Sequence, residues 1–247
     1  MNLKRRISLA LWRAVDHIYY RHAGGDERPV FYDVDRTYPA LRAIDRNLDV
    51  IQEELGAILP RIGEFPRYHE VDPRQASISA ASPGNWRTLF LHIDAAGKSF
   101  PNRRLCPRTV EILDSIPGVT QAFFSILDPR KCVPAHDGPH HYYLRYHTAL
   151  RVPKKNPPAL RVKDQYYTWK ERESLLFDDS WNHEVVNESD EMRVVLITDV
   201  MRPVPWPLRL VKDLAWSLGR RGIPDDEWEK LFERFQATRA LQGTGAG

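Results

Sequence analysis

The chain has 247 residues, 42% of them hydrophobic and 28% charged, with a formal net charge of +3. So small a charge argues against nucleic acid as the main partner, and no apolar run approaches the ~20 residues that span a bilayer. The only two cysteines, Cys106 and Cys132, form no CxxC motif; that excludes a disulfide framework and fits a reducing, cytoplasmic compartment.

Residues 5–21 have helical periodicity, with Ile7, Leu11, Ala14, Val15 and Ile18 at three- and four-residue steps. Within them "ISLALWRAV" is short, interrupted by Arg13 and without a small-residue cleavage site, so it does not read as a signal peptide. "AGGDERP" ends the helix. Residues 37–59 predict a second, longer helix capped by Thr37, with Leu41, Ile44, Leu48, Ile51, Leu55 and Leu59 as its apolar stripe and Pro60 as its stop.

The texture changes near residue 85. "NWRTLFLHI" is a strand pattern, and "CPRTVEILDSI" predicts a short helix from Pro107. Short aromatic or β-branched runs follow: "VTQAFFSIL", "HHYYLRYHTALRV", "LRVKDQYYTW", "SLLFDD", "NHEVVN" and "MRVVLITDVM". Their spacing predicts an antiparallel sandwich or barrel. After Pro203 the pattern is helical again, in "WPLRLVKDLAWSLGRRG" and in "PDDEWEKLFERFQATRAL", which Asp225 or Asp226 can cap; "QGTGAG" reads as a frayed tail. The expected organisation is a helical region over 1–84, a β core over 85–202 and helices over 203–247, in one domain.

The β core contains His136, His140, His141, His147 and His183. Two neutral imidazoles with oxygen ligands suit non-haem Fe(II) and leave positions open for a co-substrate and O2. The usual third ligand is a carboxylate two residues after the first histidine, on the same strand face. Here that residue is Gly138, and Asp137 points the other way. Arg145 and His147 share one strand face, and Arg193 opens "RVVLITDV". Buried arginines need anions. Two sources stay open: a dicarboxylate co-substrate, or internal salt bridges to Asp178, Asp179 or Glu184.

Six segments carry a resemblance: "NWRTLFL" (85–91), "FSIL" (124–127), "AHDGP" (135–139), "LRYHTAL" (144–150), "FDDSWNHEV" (177–185) and "MRVVLITDV" (192–200). In order and spacing they resemble the aspartyl/asparaginyl β-hydroxylase family. The resemblance implies a mainly β fold with flanking helices and a double-stranded β-helix (jelly-roll, cupin-like) core. It implies an Fe(II)- and 2-oxoglutarate-dependent dioxygenase that uses O2 to hydroxylate an unactivated C–H. It puts the catalytic iron ligands at His136 and His183, and the co-substrate contacts at Ser125, Arg145, His147 and Arg193, with Arg193 on the distal carboxylate. His140 and His141 match no family ligand and fall in a variable loop. Family members with glycine at the third-ligand position keep water there, whereas two-histidine halogenases bind halide; the resemblance favours hydroxylation.

The first substrate expectation is the β-carbon of an aspartyl or asparaginyl residue, or of a free or carrier-bound amino acid. One alternative is a lipid acyl chain of the lipid A or ornithine-lipid type. Another is a non-catalytic jelly-roll binding module. Arg or Lys at the mouth of the site would favour an acidic substrate, and an apolar groove a lipid. The basic, tryptophan-bearing terminal helices leave two placements open: packing on the core, or peripheral contact with the inner face of an anionic membrane.

Overall fold

The structure, a computed structural model, describes residues 3–94, 100–220 and 233–234. Two antiparallel sheets face each other. The larger has six strands in the order β1-β8-β5-β10-β3-β2, and the smaller has four in the order β4-β9-β6-β7. The large-sheet strands are β1 (Phe31–Tyr32), β2 (Trp86–Ile93), β3 (Val119–Leu127), β5 (Tyr143–Arg151), β8 (Ser174–Phe177) and β10 (Arg193–Met201). The small sheet comprises β4 (Val133–His136), β6 (Ala159–Val162), β7 (Gln165–Thr168) and β9 (His183–Val186). This is the antiparallel sandwich that the strand spacing predicts, in the cupin-like jelly-roll form that the resemblance implies.

Strands β3 and β10 are apolar almost throughout because both faces of the large sheet are covered. On the inner face Phe123, Ala149, Phe177, Val195 and Ile197 meet Val133, Leu160, Val162 and Val185 of the small sheet. On the outer face Phe124, Ile126, Tyr146 and Leu196 pack under Leu41, Ile44, Ile51, Leu55 and Leu113. Adjacent residues such as Phe123 and Phe124 therefore serve different cores, as the period-two pleat requires. At roughly 1.5–3 kcal/mol for each large apolar side chain buried, both layers contribute to holding the sheet.

The helical layer departs from the sequence expectation. Helix α1 (Leu3–Ala23) is the predicted first helix, and Gly24, at φ 111°, turns the chain out of it. The single helix expected over 37–59 is broken into four pieces. Thr37 ends α2 (Val34–Thr37), whose cap is Asp33, accepting from the Arg36 N–H. A 3-10 turn at Pro39–Leu41, α3 (Arg42–Arg46) and α4 (Leu48–Ile58) follow. Pro39 cannot donate to a helical ladder. Asn47 donates its side-chain amide to the Ala43 carbonyl and leaves the helical region at φ −117°, so the side chain competes with the backbone. The apolar stripe survives the breaks, because the pieces still lie on the same sheet.

Two short helices were not legible in the sequence, α5 (Tyr68–Val71) and α6 (Ala76–Ser79). Helix α7 (Pro107–Asp114) was. Helix α8 (Trp206–Arg220) follows β10 and packs against α1. The expected last helix and tail lie outside the described residues, apart from Glu233 and Arg234, which are helical.

Candidate active site

The histidine pair is built by strand register. Strands β4 and β9 are neighbours, and His136 stands directly opposite His183. Each ring is oriented by the carbonyl two residues upstream: His136 Nδ1 lies 2.9 Å from the Pro134 oxygen and His183 Nδ1 2.8 Å from that of Trp181. Donation from Nδ1 leaves Nε2 as the free ligand atom of each ring. The ring centroids are 4.2 Å apart. Burial, reinforced by the neighbouring His183, pushes His136 down to about 4, so it is neutral at physiological pH, as a metal ligand must be.

Asp179 sits where an ordinary triad carboxylate would be sought. A Cβ at Gly138 would collide with the Asp179 carbonyl and carboxylate, and the Gly138 N–H donates to that carbonyl at 3.1 Å. Glycine is thus required at 138 by close packing, and the carboxylate near the histidines comes from another strand end. Asp179 Oδ1 is 3.3 Å from His183 Nε2 and accepts from Arg145 at 2.5 Å, while Oδ2 accepts from the Tyr143 hydroxyl. Burial would raise its pKa, but Arg145 and His183 outweigh burial and hold it below the usual carboxylate range. Among the described residues no group of three His, Cys, Asp or Glu is arranged to hold a metal ion. The protein offers two imidazoles, and Asp179 is already engaged by its neighbours.

The two arginines near the histidines differ. Arg145 donates to Asp179 through one arm and to both oxygens of Asp199 at 2.7 and 2.8 Å through the others. Its anions are internal. Asp199 is pushed up by burial, which Arg145 offsets only in part. Arg193 is 2% exposed and has no carboxylate. Its Nη1 lies 3.4 Å from Ser125 Oγ, its guanidinium carbon lies 4.1 Å from the centre of the Trp169 ring, and its Nε has no partner. Burial without an anion pushes it down to about 9. Beside it both ring nitrogens of His147 are buried without partners, and burial together with Arg193 holds His147 well below the usual histidine range. Ser125 also accepts from the Trp86 indole at 3.0 Å.

These groups line the inner space with the histidine pair, and they fit the carboxylate of a dicarboxylate ligand: a fixed cation without a carboxylate, a serine hydroxyl, and an imidazole with no partner among the described residues. The space they enclose is about 30 Å³. That holds a water molecule rather than a dicarboxylate, so the stack of Arg193 on Trp169 or its neighbours must yield on binding.

In front of the histidines is an outer cavity of about 630 Å³ that shares Trp86, His136, Arg145 and Asp179 with the inner space. Tyr68, Ile78, Trp86, Phe90, Ile93 and Phe123 give it an apolar, aromatic wall. Its described lining contains two arginines, and both are paired: Arg145 as above, and Arg74 to both oxygens of Asp72 at 2.8 and 2.9 Å. Asp94, Asp137 and Asp213 also line it. Nearer its mouth, His140 stacks on Tyr142, and His141 donates its backbone N–H to Asp16 of α1, with its Nδ1 2.7 Å from the same carboxylate. The His140 side chain is 42% exposed, whereas that of His141 is more enclosed and held by α1.

Sequence reasoning did not single out Tyr143, Asp199 or Trp169, and it weighed Asp179 only as a salt-bridge partner. The Asp178–Asp179 pair was visible, but alternation sends the two carboxylates to different partners. Asp178 binds Arg28 and Arg202 on the structural side, while Asp179 faces the histidines.

Residues 45–203 match the family model described as Aspartyl/Asparaginyl beta-hydroxylase. The chain is 35% identical over 234 residues to an ornithine lipid ester-linked acyl 2-hydroxylase of Rhizobium tropici, an alignment that covers 92% of this chain and 81% of that protein. It is 35% identical over 171 residues to the human aspartyl/asparaginyl beta-hydroxylase, with 66% of this chain and only 21% of the human protein covered. Similar solved structures include a predicted oxalate decarboxylase of Thermotoga maritima (TM-score 0.34, 11% identity, 48% of this chain and 82% of that one). Another is the Schizosaccharomyces pombe Cnp3 cupin domain (TM-score 0.30, 12% identity, 44% and 65%).

Proposed function

The chain belongs to the aspartyl/asparaginyl β-hydroxylase family, and from that premise we propose that it hydroxylates the acyl chain of an amino-acid-headed lipid, using Fe(II) and 2-oxoglutarate. Membership makes it a hydroxylase of a family that implies this metal and co-substrate. The substrate and the residue roles are our reading. The observation that carries it is the outer cavity: one wall is apolar and aromatic, and both arginines in its described lining are bonded to aspartates, Arg145 inside the site and Arg74, 83% exposed, at its surface. An acidic side chain entering there would find Asp94, Asp137 and Asp213 and no free guanidinium. An acyl chain would replace water along the wall, at roughly 25 cal/mol per Å² buried. The R. tropici relative, which aligns over 92% of the chain, bears the name of a lipid acyl hydroxylase. This favours the lipid alternative over the aspartyl or asparaginyl substrate first expected.

In this reading His136 and His183 hold the iron through Nε2. Arg193, with Ser125 and His147, takes the distal carboxylate of the co-substrate from behind. When bound, iron and co-substrate supply the O2-dependent oxidation of an unactivated C–H. The chain does the rest. The Pro134 and Trp181 carbonyls set the ring orientations. Arg145 and Tyr143 hold Asp179 against His183, a positioning role rather than a co-substrate contact for Arg145. The aromatic wall lays the chain beside His136 and excludes water. The Asp179 carboxylate next to Gly138 repels a halide, which supports hydroxylation over halogenation.

The test is incubation with Fe(II), 2-oxoglutarate and O2, offering dispersed ornithine lipid and an Asp/Asn-containing peptide in parallel, with products read by mass spectrometry. One added oxygen on the acyl chain, with an equal amount of succinate, is the expected result. Oxygen on the peptide and none on the lipid would overturn the reading.

A further inference from the structure

Helix α8 exposes an apolar stripe. Trp206, Leu210 and Leu214 recur every four residues, on one side of the helix, and are 72%, 55% and 62% exposed, with Val211 beside them. In α1 Ile18 is also exposed, at 37%, but other apolar residues are used differently. Val15 and Tyr19 are buried, and Leu11 packs with them on Tyr142 and Val204. So α1 is seated on the body of the protein, α8 packs against α1, and the stripe on α8 is left facing outward.

Charge is segregated in the same place. Helices α1 and α8 together carry eight Lys and Arg against two Asp, a net +6, in a chain whose total is +3. The remainder of the chain is therefore three charges negative. A positive helix pair with an exposed tryptophan-leucine stripe is complementary to an anionic lipid surface. Among the described residues no helix is long and apolar enough to cross a membrane, so the contact is with the surface. Both helices also reach the outer cavity, where Trp12 of α1 and Asp213 of α8 line its wall with His136.

We infer that the α8 stripe, carried on a helix pair whose sequence is strongly basic, is a docking face for an anionic bilayer and turns the mouth of the outer cavity toward it. A lipid acyl chain would then pass from bilayer to cavity without crossing water. This rests on the lipid reading above for its purpose, but not for its measurement. Asp16 of α1, bonded to His141 in the cavity-lining loop region, ties the docking helices to the site.

The test is flotation of the full chain, metal-free and without turnover, on vesicles of phosphatidylethanolamine with or without about a third phosphatidylglycerol. The wild type should float with the anionic vesicles and be released by about 1 M salt. L210E combined with W206E should lower binding at least ~tenfold, while leaving turnover of detergent-dispersed lipid and the thermal unfolding midpoint unchanged. Wild type that stays unbound at low salt would overturn the proposal, as would a dimer in light scattering that L210E dissociates. If vesicles bind but no lipid is hydroxylated, the lipid reading fails and the docking face stands.

Discussion

The inner pocket and the outer cavity share Arg145, Arg193 lines the inner pocket alone, and the two charges are solved in opposite ways. In the outer cavity Arg145 is enclosed by Asp179 and Asp199, so its charge is balanced within the chain. In the inner pocket Arg193 faces an indole ring, a serine hydroxyl and an imidazole without partners. A balanced charge is structure. A buried charge with no anion costs stability, and the fold carries that cost where a ligand brings the anion. Of the two sources left open by the sequence, the internal salt bridge is the one seen at Arg145, and the co-substrate is the one we propose for Arg193.

The comparison can be broken by substitution. The largest effect should come from the histidines between the two regions: His183→Ala or His136→Ala reduces succinate formation to background, and full activity in either variant would refute the ligand assignment. Next, Arg145→Met leaves two buried carboxylates unpaired and should destabilise the fold by about 3–5 kcal/mol, read as a drop in the chemical-denaturation midpoint. Arg193→Met removes a charge that has no partner, so it should leave stability unchanged or raise it by up to about 4 kcal/mol. If both variants lose stability equally, the contrast is wrong. Gly138→Ala forces a Cβ against the Asp179 backbone and should cost about 1–3 kcal/mol, with weakened metal binding because Asp179 is displaced from His183.

The smallest expected effect concerns the tie between α1 and the cavity. Burial would raise Asp16, but its hydrogen bonds from His141 outweigh that and hold it below its ordinary value. A carboxylate depressed in the folded state contributes stability above its unfolded pKa and loses it as pH falls through the folded value. Asp16→Asn should therefore lower the melting temperature at neutral pH by roughly 2–4 °C, and the difference should vanish once the pH has fallen through the depressed folded value. A difference that persists in acid would mean that the carboxylate charge is not what matters.

Much of this was readable in the chain, for physical reasons. The β core was legible because its strands are short, β-branched and punctuated. Residue type marked five core histidines alike, and it was the resemblance that singled out His136 and His183 among them and assigned Arg193 its role. What could not be read depends on contacts distant in sequence. Gly138 looked like an omission, yet its lack of a side chain is imposed by Asp179, forty-one residues on. Arg145 and Arg193 look alike as letters, and only the fold brings Asp199 to one and Trp169 to the other. The helix over 37–59 was over-extended because an apolar stripe records which side faces the sheet, not whether the backbone is continuous past Pro39 and Asn47.

The most direct test of the central claim is calorimetric titration of 2-oxoglutarate into Mn(II)-loaded wild type, R193M and a stability-matched R145K variant in the absence of O2. R193M should lose affinity by at least ~100-fold, the worth of a charge-assisted pair at a buried site, while remaining at least as stable as the wild type, and R145K should keep most of it. Unchanged affinity in R193M would contradict the claim that the unpaired arginine is the seat of the co-substrate.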